Sequence, residues 1–460
     1  MSPRAVQDGD NMPYNASQRL DRLPESSFHR RLATLIGAGL FFDAFDLYMA
    51  SGIMVALARE GWGTMQANGQ FVSAGALGAL LGAALAGWLG DRYGRRFAFQ
   101  FNLILFGVMS LAAAVAPSMG WLIVFRLLMG IGLGAEIVVG YSTITEFVPP
   151  ASRGRWGAVL FFCATAALLG SSLVSYWVIP TLGWRWMFGI AGVGGLLVWF
   201  LRKEMPESPR WLESVGRHRE ADAILARVEA IAEREHGPLP APVQMVHSAP
   251  SAYRFGDLFR GRLLRSTVLA VVMNVVGLCA IYGFIIWLPT FLVKRGLSLT
   301  SSLGHTALMA GGSLLGIVLG GYLSDRFPRR RLLIANSVLC AGLGLLYPNM
   351  ATLAQTTVVG FLLVASLYFT GTIGFSTYVP ELFPTELRLR GTGLASAAGR
   401  GASILAPMTV AALYEWNGVQ GVTLALVLMG AIQAVMIAWL GIETTQRSLD
   451  HAFSSETAGR

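Results

Sequence analysis

Charge is what this chain has least of. Asp, Glu, Lys and Arg make up 13% of its 460 residues, whereas 54% are hydrophobic; soluble domains carry nearer a quarter charged residues. That scarcity excludes an ordinary soluble domain. Cysteine is also scarce. Cys163, Cys279 and Cys340 each lie inside apolar stretches and no pair has metal-ligand spacing, so neither a disulfide framework nor a metal centre is expected. No short apolar segment with a small-residue cleavage site precedes the first long apolar run, and that run itself is expected to direct insertion. No Walker A sequence and no nucleophile–base pair occurs in the apolar runs, so ATP-driven transport and enzymatic catalysis are not expected, and no cofactor is implied. The net charge is +9 and the basic residues are almost all arginine. They form no stripe with interleaved aromatics, which argues against nucleic acid as a partner.

What is present is apolar length. The mean hydropathy is +0.56, and twelve apolar segments recur along the chain, at roughly 32–57, 69–90, 97–116, 120–145, 156–180, 186–201, 263–292, 303–323, 332–350, 356–380, 391–414 and 420–441. Runs of about 20 apolar residues cross a bilayer as α-helices; barrel strands would be about ten residues long and alternating. The expected fold is therefore an all-α membrane protein of twelve transmembrane helices.

Arginine and lysine orient it. Of the 35 basic residues, 29 fall in the tails and in the loops at 92–96, 153–155, 202–265, 326–331 and 388–390, against four (Arg59, Arg185, Lys294, Arg295) in the loops of the other face. The positive-inside bias places both termini in the cytoplasm, with the protein integral to the plasma (inner) membrane. The expected organisation is a cytoplasmic tail at 1–31, six helices over 32–202, a central cytoplasmic loop at 203–262, six helices over 263–442 and a tail at 443–460. In the loop, "READAILARVEAIAERE" sets Ala221, Ile224, Leu225, Val228 and Ile231 on one face of an amphipathic helix. "GPLPAPVQMVHSAPS" follows as a Pro-rich linker.

The two halves repeat. "GWLGDRYGRR" (87–96) corresponds to "GYLSDRFPRR" (321–330), and "TEFVPPASRGR" (145–155) to "PELFPTELRLR" (380–390), with Glu146, Pro149, Arg153 and Arg155 in register with Glu381, Pro384, Arg388 and Arg390. Two six-helix pseudo-repeats with a substrate site between them are one transporter architecture.

These motifs resemble the major facilitator superfamily over nearly the whole chain. "FRLLMGIGLG" (125–134), Glu-x6-Arg at 146–153 and 381–388, "PESPRWL" (206–212) and "IETTQRSL" (442–449) are similar to marks of its sugar-porter-type metabolite transporters. The resemblance implies a cytoplasmic latch of Asp91, Arg92, Arg95, Arg96, Glu146, Arg153, Glu207, Arg210, Asp325, Arg326, Glu381 and Arg388. Arg92, Arg95 and Arg96 also suffice simply to fix topology. Pro328 stands where the second copy would carry glycine. The glycines Gly130, Gly132, Gly134 and Gly140 have no lysine after them and read as close helix packing.

Few ionisable residues lie deep in the apolar runs: Asp43, Asp46, Arg126, Glu136 and Arg400. Such residues are costly in hydrocarbon and face the bundle interior, where they serve a pathway or relay. Asp43 and Asp46 are i,i+3 neighbours on one helix face. Arg126 and Glu136 are ten residues apart, about 15 Å along a helix. In the related proton-coupled porters an aspartate of the first helix faces the fourth-helix arginine; the matching residues are Asp46 and Arg126. Asp46 is then the expected proton carrier, with a permanent Asp46–Arg126 bridge as the alternative. "DAFD" resembles the Asp-Gly-x-Asp of aromatic-acid:proton symporters, with Ala44 in the glycine position. Glu136, in a pattern similar to nicotinate-type porters, joins the proton path, contacts substrate or makes a structural bond. Arg400 resembles the eleventh-helix arginine of organic-acid porters and is expected to bind a carboxylate, unless Glu381 or a backbone carbonyl occupies it. Asn274, Tyr282, Trp287, Tyr368 and Tyr378 are candidate linings of an aromatic, sparsely polar cavity.

The expectation is a proton-coupled symporter of a small organic anion, an aromatic or heterocyclic monocarboxylate, acting by alternating access as a monomer. Sugar or neutral-metabolite transport and uniport are the alternatives within the class. A membrane sensor that has lost transport is the alternative outside it. The glutamines of the sugar porters' seventh and fifth helices are absent from "VVMNVVGLCAIYGFIIWLPTF" and "GAVLFFCATAALLGSS".

Overall fold

A computed structural model describes residues 15–149, 152–241, 254–324, 326–384 and 387–443. The expected gate residue Asp325, most of the Pro-rich linker and most of "IETTQRSL" lie outside the described residues, as do the side chains of Asp91 and Arg153. No strand occurs among the described residues.

The first half crosses with α2 (Ser27–Arg59), α3 (Met65–Tyr93), α4 (Arg95–Ala114), α5 (Met119–Phe147), α6 (Arg153–Leu182) and α7 (Arg185–Leu201), preceded by a short α1 (Ala16–Asp21). The loop carries α8 (Pro209–Ser214) and α9 (His218–His236). The second half has α10 (Gly261–Gly283) continued by α11 (Leu288–Lys294), then α12 (Leu299–Ala310) with α13 (Gly312–Ser324), α14 (Arg329–Leu346), α15 (Leu353–Thr370), α16 (Val379–Glu381) and α17 (Arg388–Leu440). Among the described residues eleven stretches are long and apolar enough to cross a membrane. The last of them is broken by non-helical Asn417 and Gly418. Gly418 takes φ +57°, a conformation that side chains resist, so α17 turns back as two spans and the total is twelve.

Helix ends follow local chemistry rather than hydropathy. The first span begins at Ser27 and not at 32, because Ser26 and His29 cap it reciprocally. Gly94 ends α3 and starts α4 at φ +97°, a turn that only glycine takes readily.

Small residues set the packing. A Cβ on Gly134 of α5 would lie 1.9 Å from the Ala79 carbonyl oxygen, and one on Gly82 of α3 would lie 2.0 Å from that of Ile131. The second half repeats the device: a Cβ on Gly316 of α13 would lie 2.1 Å from the Ala365 oxygen of α15. Backbones approach closely where lipid offers no hydrophobic drive between helices.

One end of the bundle carries α1, the central loop and the end of the last span; it is called the loop end here, and the opposite face the far end. At the far end one apolar core draws on both halves, including Met49, Ile53 and Leu57 of α2 with Trp287 and Phe291. The Tyr48 and Tyr368 hydroxyls meet at 2.5 Å across the same boundary. At the loop end the halves have separate cores. One holds Leu32, Phe99 and Phe147 with Leu225 and Val228 of α9; the other holds Leu269, Ile373 and Phe383. The halves therefore join at the far end and part at the loop end.

The loop is clasped to the first half through α1. Arg19 pairs with Asp222 and Glu229, Arg22 with Glu229 at 2.6 Å, and Arg210 with Asp21 at 2.8 Å. Burial pushes the Glu229 carboxyl up, but the hydrogen bonds from Arg19 and Arg22 outweigh it and hold it below its ordinary value. No helix is expected from the polar N-terminal sequence: a six-residue helix is marginal by itself, and this one is capped by Asn15 and Gln18 and paired to the loop.

Candidate functional site

Between the halves lies a cavity of about 290 Å³. Its described lining carries five charged or phenolic groups from the first half, Asp43, Asp46, Tyr48, Arg126 and Tyr141, and three from the second, Tyr282, Tyr368 and Arg400. Thr165 is the single aliphatic hydroxyl, no Asn or Gln lines it, and the remainder is apolar or glycine. The end of α15 widens into a π-helix at Gly371–Tyr378, which presents Gly371 and Phe375 to the cavity. The Phe375 ring packs on Gly277, where a Cβ would lie 2.1 Å from it. Such widened turns are frequent at functional sites.

Asp46 and Arg126 meet. Arg126 Nη1 donates to Asp46 Oδ2 at 2.5 Å and Nη2 to the Asp46 backbone oxygen at 3.1 Å. Both side chains are 3% exposed. The Phe71 ring lies 5.1 Å beneath the guanidinium, and Gly75 leaves room for it: a Cβ there would lie 2.9 Å from Nε. The pairing is incomplete, because Asp46 Oδ1 and Arg126 Nε are buried without a hydrogen-bond partner. An open lone pair on a buried carboxylate beside a cavity is chemically a place for a proton or a ligand donor.

Asp43 and Arg400 line the same cavity, each partly exposed. Among the described residues neither side chain makes a hydrogen bond or an ion pair. Glu381 does not reach Arg400, because it is held by Arg329. A guanidinium with its donors free toward a cavity matches a carboxylate bidentately.

Glu136 is placed elsewhere. It is 1% exposed, does not line the cavity and pairs at 2.5 Å with Arg202, whose side chain has no exposure at all. Arg202 also donates to the Leu35 oxygen at 2.9 and 2.8 Å and to that of Ile36 at 3.0 Å, and lies 4.6 Å from the Phe99 ring centroid. Gly39 makes the space: a Cβ there would lie 2.1 Å from both partners. Three aromatic-cavity candidates also lie away from the cavity lining. Asn274 donates to the Ala270 oxygen at 2.9 Å, Trp287 is in the far-end core, and Tyr378 is buried and donates to the Ile442 oxygen at 2.9 Å.

The described gate residues gather at the loop end, and the bonds of Arg95 with Glu146, of Glu207 with the Arg95 and Arg96 amides, of Arg96 with Lys203 and of Glu381 with Arg329 each lie within one half. Arg95 holds Glu146 at 3.1 Å, and Glu207 caps α4 by accepting from the Arg95 and Arg96 amides at 2.8 and 3.2 Å. Arg92 is exposed beside Trp88 and Tyr93, Arg96 donates to the Lys203 oxygen at 2.5 Å, and Arg326 lies 3.8 Å over Tyr322. Arg388, half-buried, starts α17. In the second half Arg329 pairs with Glu381, as Arg95 does with Glu146. The repeat offset aligns these two pairs and was the available signal for Arg329. Arg202 gave no such signal: a cation at the end of an apolar run reads as a topology marker. Tyr48, Tyr141 and Phe375 carried none beyond their aromatic character.

Known proteins are similar to this chain in sequence and fold. The model of the Major Facilitator Superfamily matches residues 36–407 and 305–458. The inner membrane metabolite transport protein YdjE of Escherichia coli is 36% identical over 94% of this chain and 97% of its own. The niacin transporter NiaP of Acinetobacter baylyi is 32% identical over 94% and 98%. Among solved structures, the xylose transporter XylE from E. coli superposes with a TM-score of 0.73 over 92% of this chain and all of its own, at 19% identity, a likeness of fold. With its family matched over most of its length and four of its five deep ionisable groups lining a cavity between two six-helix halves, the chain belongs to the Major Facilitator Superfamily and is an integral membrane transporter of metabolites, not an enzyme.

Proposed function

We propose that this transporter carries a small organic anion, an aromatic or heterocyclic monocarboxylate, together with protons by alternating access. The observation that carries the reading is the pair Asp43 and Arg400: both face one cavity, and among the described residues neither side chain makes a hydrogen bond or an ion pair. Arg400 receives the carboxylate bidentately. Tyr282, Tyr368 and Phe375 flank the ring. Asp46 takes the proton on its open Oδ1, which loosens Arg126 Nη1, and Asp43 is the neighbouring acid on the same face. A similar relative is a niacin transporter, and niacin is a heteroaromatic monocarboxylate. A hydroxyl-rich sugar would need amide partners, and the described lining offers none.

The excess of arginine at the loop end sets that end, with both termini, in the cytoplasm. The parted halves then make this the cytoplasm-facing state, closed at the far end by the shared core and the Tyr48–Tyr368 contact. Arg95–Glu146 and Arg329–Glu381 are bonded within their halves here; the cytoplasmic latch forms when the halves close. The functional unit is the monomer, since the cavity is complete within one chain.

Uptake by proteoliposomes with an imposed pH gradient tests this, across a panel of radiolabelled monocarboxylates and sugars. Gradient-driven accumulation of a ring carboxylate, lost in Arg400→Gln, is expected. Transport of a sugar with no carboxylate accepted would overturn it.

A further inference from the structure

The loop end holds a second recess, of about 490 Å³. One wall is the start of α2 with Phe28, Leu32 and Leu35; the other is the apolar face of α9 with Ile224, Val228 and Ile231. Arg31 and Arg227 stand at its polar part, with Glu204 beside Arg31 at 2.7 Å. Arg227 is exposed and makes no ion pair among the described residues. It also borders a neighbouring recess of about 370 Å³, lined by Arg96, Lys203 and Arg217 and by Glu204, Glu207 and Glu220.

Level and charge identify an occupant. Along α2 the ionisable residues stop at Arg31 and none follows until Asp43, so the helix passes from headgroups into hydrocarbon near Arg31. Leu35 lies four residues further on, about 6 Å deeper. At the end of α7, Lys203 lies 3.9 Å over the Trp199 ring, the aromatic and cationic pairing found at bilayer interfaces. The recess thus crosses the plane of the headgroups, apolar below and cationic above. We propose that it holds an anionic phospholipid of the surrounding bilayer, its phosphate over Arg31 and Arg227 and an acyl chain along Phe28, Leu32 and Leu35. The lipid fills the space between the first span and α9 and fixes the loop on the first half.

Native mass spectrometry of the full-length detergent-purified protein, titrated with dioleoyl phosphatidylglycerol or dioleoyl phosphatidylcholine, tests the assignment. One molecule of the anionic lipid should bind in preference to the zwitterionic one. Each of Arg31→Gln and Arg227→Gln should weaken it about fivefold, the worth of one surface arginine near anionic lipid. Leu35→Trp should lower occupancy by filling the apolar part, with unchanged elution on size exclusion showing that the variant folds. Equal binding of both lipids, or no response to either arginine, would overturn the proposal. So would competition by soluble glycerol phosphate at the lipid's own affinity, which would make it an anion pocket. Binding seen only after deletion of residues 1–14 would assign the recess to the protein's own tail instead.

Discussion

Among the described residues the first half fully buries two ion pairs, Asp46–Arg126 and Glu136–Arg202, and both draw one partner from α5. Each is almost without exposure and each closes at 2.5 Å. Their surroundings separate them. Asp46–Arg126 borders the cavity between the halves. Glu136–Arg202 has no face on it, and Arg202 is fixed by the Leu35 and Ile36 carbonyls and the Phe99 ring. Under the proposed function the first pair exchanges a proton when a solute enters; the second ties the end of the sixth span to the first. Charge inside a membrane protein therefore divides by access, and sequence depth alone does not reveal which kind a residue is.

The sharpest way to break the comparison is to remove the exchangeable charge from the first pair. Asp46→Asn should abolish coupling. A one-unit pH gradient is worth about 1.4 kcal/mol per proton, a tenfold accumulation, and the variant should show none of it while retaining counterflow of the labelled solute. Unchanged pH-driven accumulation in Asp46→Asn would leave the pair as a static bridge and erase its difference from Glu136–Arg202.

Glu136→Ala should move stability in place of coupling. Removing one member of a buried pair leaves the other uncompensated, at a cost of about 3–5 kcal/mol. A lower thermal midpoint in detergent is expected, with the surviving folded protein keeping its pH profile of uptake. A shifted pH profile at normal stability would place Glu136 in the proton path.

Arg400→Gln tests the free cation beside the first pair. Hydrogen bonds to charged groups are worth about 1.5–3 kcal/mol, so KM for a carboxylate should rise roughly ten- to hundredfold with the thermal midpoint nearly unchanged, because no described residue hydrogen-bonds or ion-pairs with the Arg400 side chain. A stability loss without a KM change would show that Arg400 has a structural partner.

Much of this was legible in the sequence, for identifiable reasons. The twelve spans are legible because a helix in lipid must be long and apolar. The break at Asn417–Gly418 is legible as a dip between two runs. Asp46 and Arg126 are legible because a lone charge in an apolar run needs a partner and a similar family supplies one. What stayed hidden is facing. A helix in a bilayer is apolar toward lipid and apolar toward its core, so periodicity does not tell Tyr368, on the cavity, from Trp287, in the far-end core. Arg202 stayed hidden for the converse reason: interfacial arginines are common there, and none of its neighbours in sequence distinguishes a buried one.

The finest test exchanges arginine for lysine in both pairs. Lysine keeps the charge but loses the planar fork that gives Arg126 two bonds to Asp46 and gives Arg202 its bonds to two carbonyls beside its ion pair with Glu136. At Arg202 the loss is of hydrogen bonds in a closed site, so Arg202→Lys should lower the thermal midpoint by the equivalent of about 1–2 kcal/mol and leave the dependence of uptake on pH in place. At Arg126 the same exchange alters the group that competes with the proton for Asp46, so Arg126→Lys should displace the pH midpoint of uptake even where stability changes little. A compact ammonium with three rotatable donors neither stacks on Phe71 as the guanidinium does nor reaches the carboxylate and the backbone oxygen together. If both exchanges moved stability and neither moved the pH midpoint, the two pairs would be two copies of one structural device, and the proton would have to be sought at Asp43.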